Sequence, residues 1–196
     1  YYSGIAGAFV STPAFILGGI YLYKSLVKLT KSNLIAFLGS LLYASNINLL
    51  YIQVTPMSEP LFICSILGAL YHFIKWQEDM KKNLISLVVA GFWTFVATLT
   101  RYEGFMLLLV MAVCVTVVSY LKTRIRKIAE GSFFVFVTMA AFGVFLWLIY
   151  SWAIFGHPLN WYKIYTGKIS VISTVEEKPQ STWGIENYKG NLEKAV

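Results

Sequence analysis

The sequence predicts an all-α protein, a multi-spanning membrane helix bundle of about six transmembrane helices. Three observations carry that expectation. Of 196 residues, 58% are hydrophobic and only 13% charged, and the mean hydropathy of +0.66 lies in the range of membrane chains. The apolar runs approach or exceed the roughly 18 to 20 residues that cross a bilayer as a helix, and short polar breaks separate them. Lys and Arg fall in alternate breaks: those read as cytoplasmic hold 3, 3 and 4, and the two short outer ones 0 and 1. A net charge of +7 in a soluble chain would suggest nucleic acid. Distributed this way it is a topology signal instead, and no nucleic-acid partner is expected.

The first span is expected over residues 4–23, with Ser3, Gly7 and Ser11 spaced by four on a face that permits close helix packing, and with Pro13 as a kink. Lys24, Lys28 and Lys31 then mark a cytoplasmic loop. The second span, 34–52, turns polar at its far end through Ser45, Asn46, Asn48 and Gln53. Amides at membrane depth need partners, so these are expected to face the bundle or a wet cavity, as interhelical glue or towards a ligand.

Next comes the outer loop Thr55-Pro56-Met57-Ser58-Glu59-Pro60. Glu59 is the only acidic residue among the first 77 positions. Pro60 suits the first turn of a helix with Glu59 as its cap, where the macrodipole keeps a carboxylate ionised. Glu59 is either that cap and nothing more, or a functional carboxylate at the membrane edge.

The third span, 60–76, ends near His72, which reads as an interfacial residue, and leads to a cytoplasmic loop with Lys81 and Lys82. The fourth and fifth spans, 84–100 and 104–121, flank Arg101-Tyr102-Glu103-Gly104. This outer hairpin is too short to lift its charges far from the interface, so the pair needs partners. Two readings fit: a local Arg101/Glu103 pair that pins the turn, or a guanidinium aimed at a phosphate. Lys122, Arg124, Arg126 and Lys127 form the strongest cytoplasmic mark. The sixth span, 131–155, carries Trp147 and Trp152 towards its outer end, as an aromatic belt does.

Residues 1–155 are thus expected as the transmembrane bundle, and residues 156–196 as an exoplasmic polar segment leading to a further helix. His157, beside Pro158, is a turn residue or a ligand contact. No cleavable leader is read before the first span, and the chain is expected to be an internal piece of a longer protein. Cys64 and Cys114 lie inside apolar spans, so no disulfide or metal site is indicated. Phosphate-binding glycine loops, HExxH, GxSxG and DxD are all absent from the sequence. What remains is sidedness: Glu59, Arg101, Glu103 and His157 all belong to the outer face.

Those residues sit in three stretches: Val54-Thr55-Pro56-Met57-Ser58-Glu59-Pro60-Leu61-Phe62, Leu99-Thr100-Arg101-Tyr102-Glu103-Gly104-Phe105 and Ile154-Phe155-Gly156-His157-Pro158-Leu159. Their order resembles the succession of motifs in GT-C glycosyltransferases, specifically the prokaryotic relatives of dolichyl-phosphate-mannose:protein mannosyltransferases and of the aminoarabinose transferase of lipid A. The resemblance implies a GT-C type fold and an inverting transfer of a hexose or pentose from a polyprenyl-phosphate donor. The acceptor would be a hydroxyl of a protein, lipid or glycan at the outer face of the cell membrane, and no cofactor is implied. Glu59 would be an active-site (catalytic) carboxylate, while Arg101 and Glu103 would flank the donor phosphate. His157 stands where such enzymes often have Asp. Their catalytic Asp precedes the position of Tyr1, so this stretch alone is expected not to catalyse transfer. A transporter and a non-catalytic membrane scaffold are the competing classes. The first would call for ionisable residues in mid-span and for broken helices.

Overall fold

The computed structural model describes residues 3–156 apart from 56 and 81, and the side chains of that range except those of 3–7 and 155. The described residues form seven helices and no strand. Residues 1–147 make one compact unit and residues 148–196 another, of which only the start is described.

Helix α1 (Ser3–Thr30) contains Pro13 without ending there, and it runs past the expected first span. Lys24 and Lys28 therefore stand on its final turns rather than in a loop. Lys31, at φ 53°, then stops it in the left-handed region, where its N–H reaches Val27 O at 2.9 Å.

The expected continuous second span is corrected to two helices. Helix α2 (Asn33–Ala44) is capped by Ser32, and α3 (Ile47–Gln53) leaves it at 61°. Asn46 makes the break, because its Oδ1 accepts from the backbone N–H groups of Asn48 and Leu49 at 3.0 and 3.3 Å. An amide that caps a new helix start competes with continuation of the old one. Ser45, Asn46 and Asn48 are accordingly exposed and do not face the interior of the bundle.

Helix α4 (Glu59–Glu78) lies alongside α1 in the same direction: Tyr21 packs edge-on against His72 at 5.7 Å, and Lys28 Nζ meets Glu78 Oε2 at 2.5 Å. His72 thus belongs to an aromatic cluster with Tyr21 and Tyr71. Helix α5 (Leu84–Thr100) returns against α4, and α6 (Glu103–Thr123) returns against α5. Arg124, at φ 57°, closes α6. Helix α7 (Arg126–Phe155) begins five residues before the expected 131, taking Arg126 and Lys127 into its first turn, while Lys122 lies in the last turn of α6. Ser119 and Ser132 join α6 to α7 by a buried hydrogen bond of 3.2 Å.

The interior is built from small residues. Ala69, Ala90, Ala97, Ala112 and Ala140 are buried with Ser65, Ser86, Thr94 and Thr98, around the larger Phe73, Trp76, Leu87 and Phe136. Exposed Leu, Ile, Val and Phe side chains are numerous on α1, α2, α5, α6 and α7, while α4 exposes only Leu70 among its large hydrophobics. Close approach is visible at Gly143, where a Cβ would stand 2.1 Å from Thr98 Oγ1 and 2.9 Å from Phe95 O. Three helices are long and apolar enough to cross a membrane (Ala8–Thr30, Glu103–Thr123 and Arg126–Ile154), and the bent α2–α3 pair makes a fourth if counted as one span. Helix α5 is apolar but has 17 residues.

Candidate functional site

The site is assembled where α4 begins and where α5 hands over to α6. Ser58 holds the N-cap position of α4, and Glu59 opens its first turn. Glu59 is therefore not the cap, as the sequence suggests, but the first helical residue, followed by the buried Pro60. The strand of loop that delivers it is tied to α1: Ser11 Oγ donates to Thr55 O at 3.2 Å and to Met57 O at 3.1 Å. Thr12 Oγ1 donates to Gln53 O at 3.3 Å. Backbone carbonyls of an irregular segment need donors, and the first turns of α1 supply them.

On the other side, Arg101 ends α5 in an extended conformation (φ −152°, ψ 154°), its N–H still bonded to Ala97 O at 3.1 Å. Glu103 starts α6 two residues later. The hairpin is this tight because of Gly104. A Cβ there would lie 2.4 Å from Ala97 O and 2.6 Å from Thr98 Cα, so only glycine lets the start of α6 rest on the last turn of α5.

One guanidinium joins these pieces. Arg101 Nε and Nη2 donate to Glu103 Oε2 and Oε1 at 3.1 and 3.0 Å, a forked pair, and Nη1 donates to Glu59 Oε1 at 2.6 Å. The side chains of Arg101, Glu59 and Glu103 are 32, 38 and 54% exposed, so the cluster lies at a surface that a ligand reaches. Hydrogen bonding to Glu103, then to Glu59, holds the guanidinium pKa above its ordinary value, so Arg101 stays cationic. Two carboxylates and one cation leave the trio with a net charge of −1. Of the five N–H groups on a guanidinium, three are engaged by carboxylates. Tyr102 and Phe105 flank the cluster, each edge-on to Trp147 at 6.3 and 6.0 Å.

The structure thus brings together Glu59, Arg101 and Glu103, three of the four residues singled out from sequence. His157 lies outside the described residues. Sequence reasoning missed Ser11 and Thr12 as the donors that fix the Glu59 loop. It noted the small residues of the first span only as a packing face. Gly104 was visible as a glycine in a short turn, but its close contact with Ala97 was not. Among the described residues, no group of three or more His, Cys, Asp or Glu is placed to hold a metal. Compared with family models, curated proteins and solved structures, the chain finds no match.

Proposed function

We propose that this chain is the membrane bundle of a GT-C type glycosyltransferase, moving a sugar from a polyprenyl-phosphate donor to an acceptor hydroxyl at the outer face of the cell membrane. The observation that carries the reading is the Arg101 guanidinium held between Glu59 and Glu103. Arg is the residue whose fork matches a phosphate, and a fork already oriented by carboxylates loses little freedom on binding one. A donor phosphodiester brings one negative charge to a trio that already carries one in excess, so a carboxylate must yield its place. Glu103 is the more exposed of the two and is the one displaced, while Glu59 keeps the guanidinium aimed. Glu59 Oε1 is already engaged by Arg101 Nη1 at 2.6 Å. Glu59 therefore acts by positioning, and the base that takes the acceptor's proton comes from outside the described residues.

The membrane placement is supported by the exposed apolar side chains and the small-residue interior, since lipid tolerates the first and helix packing in lipid favours the second. In this reading α1, the α2–α3 pair, α4, α5, α6 and α7 cross in turn, with Arg101 at the outer face.

The test uses the full-length protein in membranes, with transfer from a polyprenyl-phosphate sugar as the readout. Arg101→Lys keeps the charge and loses the fork, and the expected loss is ~10²-fold or more in rate, as for removal of a preorganised charge stabiliser. Glu59→Gln should also lower the rate. Both variants transferring at the wild-type rate would reduce the trio to a pin for the turn and sink the reading.

A transporter is the second reading, favoured by the broken α2–α3 pair. It ranks behind because no Asp, Glu, Lys or Arg lies at the middle of any described helix. Solute flux into vesicles without sugar transfer would reverse that order.

A further inference from the structure

At the far end of α1 and α4 from Arg101 lies a cleft of about 330 Å³, lined by Tyr23, Lys24, Val27, Lys28 and Tyr71. We propose that it is a binding site for the phosphate head group of an anionic lipid in the leaflet at the basic end of the bundle. The inference rests on the membrane placement above, but on neither the sugar donor nor the transfer.

Three features fit that ligand. The first is an excess of fixed positive charge. Lys24 and Lys28 both line the cleft, and Glu78 meets Lys28 there through a 2.5 Å pair, which leaves the charge of Lys24 in excess. The second is that the ammoniums are held in place. Lys24 Nζ stands 5.9 Å from the centre of the Tyr71 ring, and Lys28 is fixed by Glu78, so both cations are presented at the mouth with less loss of side-chain freedom on binding. The third is the change of surface along α1. Lys24 and Lys28 border the cleft, while Leu17 and Ile20, one to two turns back, and Leu29 beside it are exposed apolar side chains. A head group seated between the lysines leaves its acyl chains against that apolar face, so one molecule satisfies both surfaces. Basic pockets between membrane helices are the places where anionic head groups bind.

Free phosphate shares the head group's chemistry but not its chains, and the experiment separates the two. Purified full-length protein in neutral detergent is titrated with phosphatidylglycerol, with phosphatidylcholine of the same chains, and with inorganic phosphate, and bound ligand is counted by native mass spectrometry. Phosphatidylglycerol should bind roughly tenfold or more tightly than phosphatidylcholine, with no retention of inorganic phosphate at equal concentration. Lys24→Gln and Lys28→Gln should each weaken it by roughly fivefold, the order expected of one lysine at an anionic lipid. Lys28→Arg, which keeps the charge, should retain binding and shows that the helix pair still folds. Arg126→Gln removes a charge at the start of α7, outside the cleft, and should change nothing. Equal binding of the two lipids, or an Arg126→Gln loss as large as that of Lys24→Gln, would overturn the site in favour of none or of diffuse attraction. Retention of inorganic phosphate as tight as that of the lipid would overturn the lipid assignment. Release of the protein from membranes by alkaline carbonate would instead defeat the membrane placement, and with it both this site and the proposed transfer at Arg101, whereas loss of lipid selectivity alone would overturn this site and leave the Arg101 reading standing.

Discussion

Arg101 connects two residues that sequence distance keeps apart: Glu103 is its near neighbour, while Glu59 is separated from it by 42 positions. The near pair was legible, since two charges in a four-residue outer turn have little choice but to meet. The far one was not, because nothing in the sequence states which helix ends adjoin. Read from sequence alone, Glu59 has no cation beside it; in the fold it has the guanidinium at 2.6 Å. The geometry depends on Gly104 as much as on the charges. Gly104→Ala places a methyl group against the backbone of Ala97 and Thr98, which cannot retreat as a flexible side chain would. Overpacking of this kind costs roughly 1–3 kcal/mol, and it is expected to shift the α5–α6 turn that holds Arg101 against Glu59. The variant is expected to melt lower in detergent and, on the proposed function, to lose sugar transfer in the full-length protein. An unchanged melting temperature would show that the α5–α6 contact is looser than described.

At the level of helices, the bounds expected for the fourth span were legible to the residue as helix α5, 84–100, because Asn83 and Arg101 bound an apolar run without ambiguity. The third and fifth came within two residues. The second did not, and the reason is physical. Hydropathy sums transfer energies and is blind to direction, so an apolar run that turns through 61° looks like one that does not. The signal was Asn46, read as a buried amide when its better-supported role is a cap. Asn46→Ala removes the acceptor for two backbone N–H groups, and about 1 kcal/mol of helix stability is expected to go with it. Because the carbonyls of Gln53, Thr55 and Met57 follow directly and are held by α1, faster hydrogen exchange should appear in α3 while α4 stays protected. Equal protection of α3 in both proteins would mean that the cap does not hold the break. The same blindness made Lys24 and Lys28 look like loop residues. A long lysine stem lies along a helix as readily as in a loop, so α1 continues through them to Thr30.

Across the whole molecule, the alternation of basic and non-basic ends read from sequence agrees with the arrangement of the helices. Arg101, Glu59 and Glu103 gather at one end, and Lys28 with Glu78 lies at the other. Which end faces outward is tested by single cysteines in intact cells. A Cys replacing Ser58 is expected to react with an impermeant reagent added outside, and a Cys replacing Lys31 or Thr123 only after the membrane is opened. The opposite pattern would invert the orientation and remove the proposed outer site. The interior composition was less legible. Leu- and Phe-rich spans suggest a core of large side chains throughout, yet here many of them are exposed, and Ala, Ser, Thr and Gly share the contacts with a few large residues such as Trp76, Leu87 and Phe136.

Helix α4 is tied at both ends, by Glu59 to Arg101 and by Glu78 to Lys28, and at 1.5 Å per residue the two ties are about 30 Å apart. That is close to the hydrocarbon thickness of an ordinary bilayer, so in the proposed placement the helix works as a strut of fixed length between two charged anchors. In a thinner bilayer the apolar length between the anchors exceeds the hydrocarbon, and tilting is one way to cover it; a tilt of α4 against its neighbours would strain the Glu59–Arg101 pair. On the proposed function, sugar transfer by the full-length protein is therefore expected to fall as the acyl chains of a reconstituted bilayer are shortened, while a Lys28→Gln variant, released at one end, should lose less. Equal decline in both would show that the two anchors are not mechanically coupled through α4.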